Sequence, residues 1–376
     1  MAKRPVLIVS PIPSHPQNQG NSARIYRLGR MFQLAGHPVH FIYLGLEGLT
    51  QQQALDHRSS WDRFYYIEPT GPAPEPSLGE YYHVDDWFDD RITTLVDELC
   101  QHWDYAVCLS NYVWCSRHLD VVPTGTLKVI DTHDVFGDRH LVARAAGFEP
   151  VWFYTSKALE AMALRRADLV IAIQDEEEAY FRDLTEVPVV TIGYAIPEHP
   201  LPSRQRQSGE KLRVGYLGSG NPFNVESICQ FQQAVLLQPE LLDRYQFHLA
   251  GTICTTFATD STLFDNWGMV DDVADFYREM DILINPMVGG TGLKIKSVEV
   301  LAYGKPLLAT WDAMVGICNK NEKGIASTVK DITTQLIHRE DKNLTVCLPS
   351  YTNIVKEKFC FMNQLSNKTK SIVAET

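Results

Sequence analysis

Short apolar segments alternate with helical segments along most of this chain, and no other feature constrains its fold as strongly. Val6–Ser10 and Val39–Leu44 are apolar runs without the two-residue period of a half-exposed strand, and a helix is predicted between them over 22–35. Strands that are buried on both faces and separated by helices are typical of parallel sheets. The pattern therefore predicts an α/β protein.

The alternation is interrupted once and then begins again. The segment 197–211 is rich in Pro and Arg, has little apolar content after Leu201, and is followed by a new apolar strand at 213–217. Such a composition is typical of a linker. Before it, further strands are predicted at 64–67, 105–109, 128–131, 169–173 and 189–192.

The break divides the chain into two Rossmann-like halves. We predict an N-terminal domain over 1–200, a linker over 201–211 and a C-terminal domain over 212–345. A helical segment over 346–376 would follow and could cross back to the first domain. Ligands of such sheets bind at the carboxyl ends of the strands, so the cleft between two facing halves is the expected site.

Composition restricts the classes of function. The 376 residues include 45% hydrophobic and 21% charged residues, and the net charge is −12. This charge argues against general nucleic-acid binding, which needs a concentrated basic surface. Eight scattered cysteines form no CxxC pair and, like the histidines, show no metal-ligand spacing, which favours a reducing compartment. We expect a cytoplasmic protein that could contact the inner membrane face.

A glycine-rich segment before a predicted helix carries the strongest functional signal. Its chemistry-bearing residues are Gly289, Gly290, Gly292, Lys294, Lys296 and Glu299. Glycines allow the backbone to approach a ligand, and amides at a helix start can face an anion. The lysines can oppose phosphate charge, and the carboxylate can accept from sugar hydroxyls. A surface loop with solvated lysines is the alternative.

Polar residues also follow the predicted strands of the first half. The loop after the first strand contains Gly20, and Asn21 or Ser22 could cap the next helix. His133 follows the strand 128–131, where Asp131 and Asp134 could orient its imidazole or hold it protonated. An ordinary capped loop and a structural His–Asp turn are the respective alternatives.

Three further observations concern helices and a second glycine turn. Arg24, Arg27 and Arg30 share one helix face and could contact an anion or a membrane, although we favour a solvated face. Glu160 is expected to be a solvated helix residue. Gly218 and Ser219 follow the first strand of the second half, where their short loop suits contact with phosphate or ribose.

Together these segments resemble glycosyltransferases of group 1, the family 4-like type with the GT-B fold. The likeness is most specific over 289–310, and the Gly20 loop, 131–134 and 217–224 fit in the same order. It implies two Rossmann-like domains that face each other across an interdomain cleft. The first would bind mainly the acceptor and the second mainly a nucleotide sugar.

The resemblance also implies roles for single residues. His133 would contact the transferred sugar, and Lys296 would stabilise the leaving diphosphate; these are the predicted catalytic residues. Donor contacts are predicted at Gly20, Gly218, Ser219, Thr291, Gly292, Leu293, Lys294 and Glu299, the last at the ribose. Asn21 and Arg24 are candidates for acceptor contact. The resemblance implies retention of anomeric configuration, with no metal and no cofactor.

Two departures from the family pattern leave alternatives open. Thr291 stands where many members have a glutamate, and Asn221 and Asn224 lie near the position of a frequent Arg and Lys. The predicted function is transfer of a sugar to a saccharide, lipid-linked or small-molecule acceptor, in cell-surface polysaccharide or glycoconjugate biosynthesis. A GT-B-fold sugar-nucleotide epimerase and an inactive sugar-nucleotide-binding module are the alternatives.

Overall fold

The chain folds into two compact units. The computed structural model describes residues 3–17, 19–145, 147, 149–150, 152–194, 200–256, 263–270, 272–289, 292–318 and 324–339. The described residues up to 194 belong to the first unit, and those from 200 onward belong to the second. The predicted helical segment 346–376 lies outside the described residues.

The first unit is built on a seven-stranded sheet in which all paired strands run parallel. Its order is β3-β2-β1-β4-β5-β6-β7. The strands are Val6–Ser10 (β1), Val39–Leu44 (β2), Arg63–Ile67 (β3), Val107–Asn111 (β4), Leu127–Asp131 (β5), Leu169–Ala172 (β6) and Val189–Thr191 (β7). Strands β1, β2 and β4 are buried along their whole length, as their continuous apolar runs predict. The order reverses between β1 and β4, so the carboxyl ends of these strands border a crevice suited to ligands.

Three helices of the first unit begin at residues whose side chains cap them. Thr50 and Gln53 form a reciprocal capping box, and Asp89 and Ser156 cap two further helices. The described helices are Gly20–Leu34 (α1), Gln51–Ser60 (α2), Asp90–His102 (α3), Arg139–Ala145 (α4), Lys157–Leu164 (α5) and Asp175–Leu184 (α6), with a 3₁₀ helix at Val113–Val121. Neither α2 nor α4 nor the 3₁₀ helix was predicted from the sequence.

The second unit has a five-stranded parallel sheet of order β10-β9-β8-β11-β12. Its strands are Leu212–Leu217 (β8), Tyr245–Ala250 (β9), Phe264–Gly268 (β10), Ile282–Asn285 (β11) and Leu307–Ala309 (β12). Its helices are Pro222–Leu236 (α7), Glu240–Arg244 (α8), Ile253–Thr256 (α9), Val273–Glu279 (α10), Ile295–Ala302 (α11) and Val329–His338 (α12), with a 3₁₀ turn at Trp311–Ala313. The edge strand β10 was not predicted, because only one of its five residues is buried.

The segment predicted as a linker is bound to the second unit along residues 200–211. The Leu201 N–H donates to the Tyr303 carbonyl at 2.9 Å. Arg204 is nearly buried and bonds Glu210 at 2.6 Å and Asp281 at 2.9 Å. Composition alone could not show these ion pairs, because Asp281 lies far away in sequence.

No helix among the described residues is long and apolar enough to cross a membrane.

Candidate active site

The carboxyl ends of β4 and β5 place Asn111 opposite Asp131 in the first unit. Both side chains are fully buried. The Asn111 amide donates to the Val9 carbonyl at 3.1 Å, and its Oδ1 lies 2.9 Å from Nε2 of His133. Since an amide oxygen only accepts, Nε2 carries the proton of the imidazole.

His133 is enclosed by aromatic and charged neighbours. Its ring stacks on Tyr112 with 4.2 Å between centroids and 14° between planes, and Nε2 lies 3.3 Å from Asp131. Burial lowers the pKa of His133 to about 4, which outweighs the attraction of the Asp131 carboxylate. The imidazole is therefore neutral near pH 7. The option that the aspartates hold it protonated is wrong; Asp131 and Asn111 orient it.

The backbone is strained where these two rings meet. Tyr112 has φ 71° and His133 has φ 63°, a region that side chains with a Cβ rarely adopt. Each costs about 1–3 kcal/mol and persists only where the surroundings enforce it. Such residues cluster at functional sites, so the strain supports the choice of His133.

Arg24 reaches the same site from α1. Its guanidinium forms a fork on Asp131, with Nε 2.9 Å from Oδ2, and Nη1 donates to the Ile192 carbonyl at 2.9 Å and the Gly193 carbonyl at 3.3 Å. The side chain is 3% exposed. The predicted solvated face is thus wrong for Arg24. Its candidate role in acceptor contact stays a prediction; in the structure the guanidinium holds Asp131.

Gly20 and Asn21 open α1 beside Tyr112. The N-cap is Gln19 and makes no side-chain cap, so the prediction of Asn21 or Ser22 as the cap is wrong. The Asn21 amide lies 3.3 Å from the Tyr112 hydroxyl. This contact brings the Gly20 loop to the aromatic pair of Tyr112 and His133. The first turn also contains no acidic side chain, which leaves its positive dipole end uncompensated.

Glu160 contradicts its predicted exposure. The side chain is fully buried and accepts from the Phe136 N–H at 2.8 Å and the Gly137 N–H at 3.0 Å. The Tyr180 hydroxyl lies 2.7 Å from its Oε2. The short helix α5 gave no sign of this, because its partners lie in a loop about twenty residues upstream and in another helix.

In the second unit, Lys296 extends from α11 to the carboxyl end of β8. Its Nζ lies 2.5 Å from the Tyr216 hydroxyl and 2.7 Å from Asn224 Oδ1, and 4.6 Å from the centre of the Tyr216 ring. Burial, followed by repulsion from Lys294, lowers the pKa of Lys296 to about 7. This ammonium therefore gains and loses its charge near neutral pH.

Asn224 connects Lys296 to the predicted glycine turn. Its amide donates to the carbonyl of Ser219 at 2.9 Å and to the Ser219 hydroxyl at 3.0 Å. Asn221 caps α7 by accepting from the Asn224 N–H at 2.9 Å. The loop of Gly218 and Ser219 and the lysine of α11 thus belong to one hydrogen-bonded network.

The glycine-rich loop adopts the conformation that its glycines predict. Gly289 has φ 71° and Gly292 has φ 75°, both in the left-handed region. The Gly289 N–H donates to Asp312 at 2.7 Å, and Lys294 Nζ donates to the Gly292 carbonyl at 2.7 Å. Lys294 is buried, so the alternative of solvated lysines is wrong for this residue. Gly290 and Thr291 lie outside the described residues.

Helix α11 places the remaining predicted residues. Leu293 is buried just before the helix, and Glu299 is partly exposed one turn beyond Lys296. Residues three apart share a helix face, so the carboxylate and the ammonium face the same side. No side chain caps the helix start at Lys294, and the N–H groups of Ile295 and Ser297 in its first turn donate to the backbone carbonyls of Leu293 and Lys294.

Three residues of these networks, Asn111, Tyr112 and Tyr216, were not predicted from the sequence, and Glu160 was predicted to be solvated. Asn111 could have been found, because a polar residue that ends a buried strand is unusual. Tyr216 lies within an apolar strand and gave no such signal. Within the described ranges, no group of three or more His, Cys, Asp or Glu side chains could hold a metal ion.

Comparisons with known proteins bear on the family and the fold. Residues 211–343 match the family model described as Glycosyl transferases group 1. No curated protein matches the chain.

Several solved structures are similar over the whole chain. Sucrose-phosphate synthase from Thermosynechococcus elongatus is 14% identical, with 100% of both chains covered and a TM-score of 0.72. A TarM variant from S. aureus, in complex with Fondaparinux, alpha-GlcNAc-glycerol and UDP, is 9% identical over 99% of this chain and 100% of that chain, with a TM-score of 0.71. HepE from Anabaena, in complex with UDP and glucose, is 14% identical over 98% of this chain and 100% of that chain, with a TM-score of 0.65.

These likenesses confirm the GT-B fold that the sequence predicted. The family match over 211–343 confirms the predicted enzyme class. The chain has the GT-B fold, and its residues 211–343 match the glycosyltransferases of group 1.

Proposed function

We propose that the enzyme transfers a glycosyl group from a nucleoside diphosphate sugar to a saccharide, lipid-linked or small-molecule acceptor, with retention of anomeric configuration. The observation that carries this proposal is the position of Lys296. Its ammonium lies in a partly buried network with Tyr216 and Asn224 in the part of the chain that matches the family. A buried cation needs a charged partner, and a diphosphate supplies one.

A cationic group beside the departing diphosphate lowers the energy barrier to glycosyl transfer. Glycosyl transfer builds negative charge on the leaving group, and a fixed donor that meets this charge contributes about 3 kcal/mol. We assign this role to Lys296, with Lys294 and the amides of 291–293 as further donors to the phosphates. We assign contacts with the donor to the backbone of Gly20, Gly218 and Ser219. We assign contacts with the ribose hydroxyls of the donor to Glu299.

Lys296 also suits reversible binding of the donor. The pKa near 7 means that the free enzyme holds the amine partly neutral, which limits the cost of burying it. An incoming diphosphate favours the charged form and therefore raises this pKa. Donor binding is then coupled to uptake of a proton.

His133 is assigned to the transferred sugar. Its Nε2–H is committed to Asn111, so the neutral ring offers Nδ1 as an acceptor for a sugar hydroxyl. We assign no covalent nucleophile among the described residues and infer substitution on the same face of the sugar. That path retains the anomeric configuration.

The first test uses UDP-glucose, because solved HepE complexes contain UDP-glucose. Purified enzyme should release UDP slowly without an acceptor and faster with one, and NMR should show an unchanged anomeric configuration in the product. Thermal shift should detect UDP, since a ligand at 100 times its Kd stabilises by about 2.7 kcal/mol. If UDP does not bind, other nucleoside diphosphate sugars are screened in the same way.

Two results would contradict the proposal. Release of free sugar epimers would indicate the epimerase. Binding without any turnover, across acceptors of the saccharide and lipid-linked classes, would indicate an inactive binding module. A role in polysaccharide or glycoconjugate biosynthesis is part of the proposal and predicts that the product is an extended glycan or glycolipid.

A further inference from the structure

Glu160 binds the middle of the loop 133–138 in the first unit. Its Oε1 accepts from the Phe136 N–H at 2.8 Å, and its Oε2 accepts from the Gly137 N–H at 3.0 Å and the Tyr180 hydroxyl at 2.7 Å. A carboxylate serves all three donors, whereas an amide of equal size has a single acceptor atom. The ionised carboxylate of Glu160 can therefore satisfy all three donors at once, which an amide at the same position could not.

The loop is built closely around the carboxylate. A Cβ added to Gly137 would lie 2.4 Å from the Tyr180 hydroxyl and 2.7 Å from Glu160 Oε2, so a larger residue there would displace these two side chains. On its other side the loop pairs with Thr155, which accepts from the Asp138 N–H at 2.8 Å. The central amides of the loop are thus occupied from two sides.

Both ends of this loop are strained. His133 has φ 63° and Asp138 has φ 60°, so the clamped amides lie between two left-handed residues. Such conformations persist only where surrounding contacts enforce them. The three hydrogen bonds that the Glu160 carboxylate accepts are called the clamp. If the clamp were released, His133 could relax to an ordinary φ and its ring would leave Tyr112 and Asn111.

We propose that Glu160 is a positioning residue for His133: its carboxylate fixes the loop 133–138 in the strained conformation that presents the imidazole. This inference rests on the proposed function, in which His133 contacts the transferred sugar. Glu160 itself touches no substrate and acts only through the loop.

The clamp should respond to pH. Burial raises the pKa of Glu160 to about 7, against the opposing effect of its three hydrogen bonds, and Asp134 raises it further. Other charged or titratable groups nearby are Tyr180, Asp138, whose charge acts on Tyr180, and Lys157, whose ammonium lies 6.0 Å from the Tyr180 ring. Protonation turns one acceptor oxygen into a donor, so the clamp weakens as the pH falls below about 7.

The test compares Glu160→Gln with Glu176→Gln, a matched control at an exposed position of α6. In Glu160→Gln, hydrogen exchange at the amides of Phe136 and Gly137 should accelerate, and kcat should fall by about tenfold to 100-fold with little change in donor KM. Wild-type kcat should fall below pH 7, and this acid limb should vanish in Glu160→Gln. The control should behave as wild type.

Tyr180→Phe gives a second variant if Glu160→Gln fails to fold. It removes one bond to the carboxylate, which raises the pKa of Glu160, so the acid limb of kcat should move to higher pH. An unmoved limb would overturn the proposal. Unchanged amide exchange in a folded Glu160→Gln, or accelerated exchange with intact kcat, would do the same.

Failure of the proposed function would look different. If wild type turned over no nucleotide sugar, the His133 imidazole could still be followed by NMR. Loss of the clamp should free the ring from burial and raise its pKa from about 4 toward 6.5. An unchanged His133 pKa in Glu160→Gln would contradict positioning by Glu160, whatever the reaction.

Discussion

Replacement of Lys296 by alanine separates a catalytic role from a structural one. The change removes an ammonium that bonds the Tyr216 hydroxyl and Asn224 Oδ1. If the amine meets charge that develops on the leaving diphosphate, kcat should fall by about 100-fold, or about 3 kcal/mol. Donor KM should change much less, because the lost interaction is strongest in the transition state.

The effect on stability should be small for a reason that the structure supplies. A pKa lowered from 10.5 to about 7 represents about 5 kcal/mol of unfavourable charge burial at neutral pH. The two hydrogen bonds of the charged amine offset this by about 1.5–3 kcal/mol each. Removal of both contributions should leave the free energy of unfolding within about 2 kcal/mol of wild type.

The assay measures kcat and donor KM with UDP-glucose, or with the nucleotide sugar found by thermal shift, and the free energy of unfolding in urea at pH 7. Lys330→Ala, which removes an exposed lysine of α12 in the same unit, is the matched control. Unchanged turnover in Lys296→Ala would refute the assignment of the leaving-group role. A large loss of stability together with a proportional loss of active enzyme would also refute it.

Three further predictions follow from the same networks. Affinity for UDP should fall as the pH rises above about 7, because neutral Lys296 must first take up a proton; calorimetry in buffers of different ionisation enthalpy should detect this uptake in wild type but not in Lys296→Ala. Arg24→Ala should lower the free energy of unfolding in urea by about 3–5 kcal/mol, because it leaves the Asp131 carboxylate buried without its partner. Gly289→Ala should cost about 1–2 kcal/mol of loop stability from its left-handed φ, seen as weaker UDP binding, since the added methyl meets only Phe223 at an ordinary 3.6 Å.

The alternation of strands and helices was predictable because it depends on local apolar patterns in the sequence. Strands β1 and β2 occur at the predicted residues, since continuous apolar runs are buried in a parallel sheet. The edge strand β10 was not predictable in this way. Most of its residues are exposed, so its hydrogen bonds with β9, rather than burial of its side chains, hold it in the sheet.

Charged side chains were the least predictable part of the site. Arg24 and Glu160 both looked like solvated helix residues, and both are buried on partners distant in sequence. Helical spacing shows which residues share a face, but not whether another segment covers that face. The protonation of His133 was undecided for the same reason, because the sequence shows its acidic neighbours but not its burial.

By itself, the sequence determined the α/β class, the two sheets and the chemistry of the glycine-rich loop, because these depend on local apolar patterns and on residue type. Only the tertiary structure decided which charged groups are buried and paired. It joined Lys296 to Asn224 and Ser219, and His133 to Asn111 and Tyr112. These contacts link residues far apart in the chain, and burial sets their pKa values, so no local pattern could have contained them.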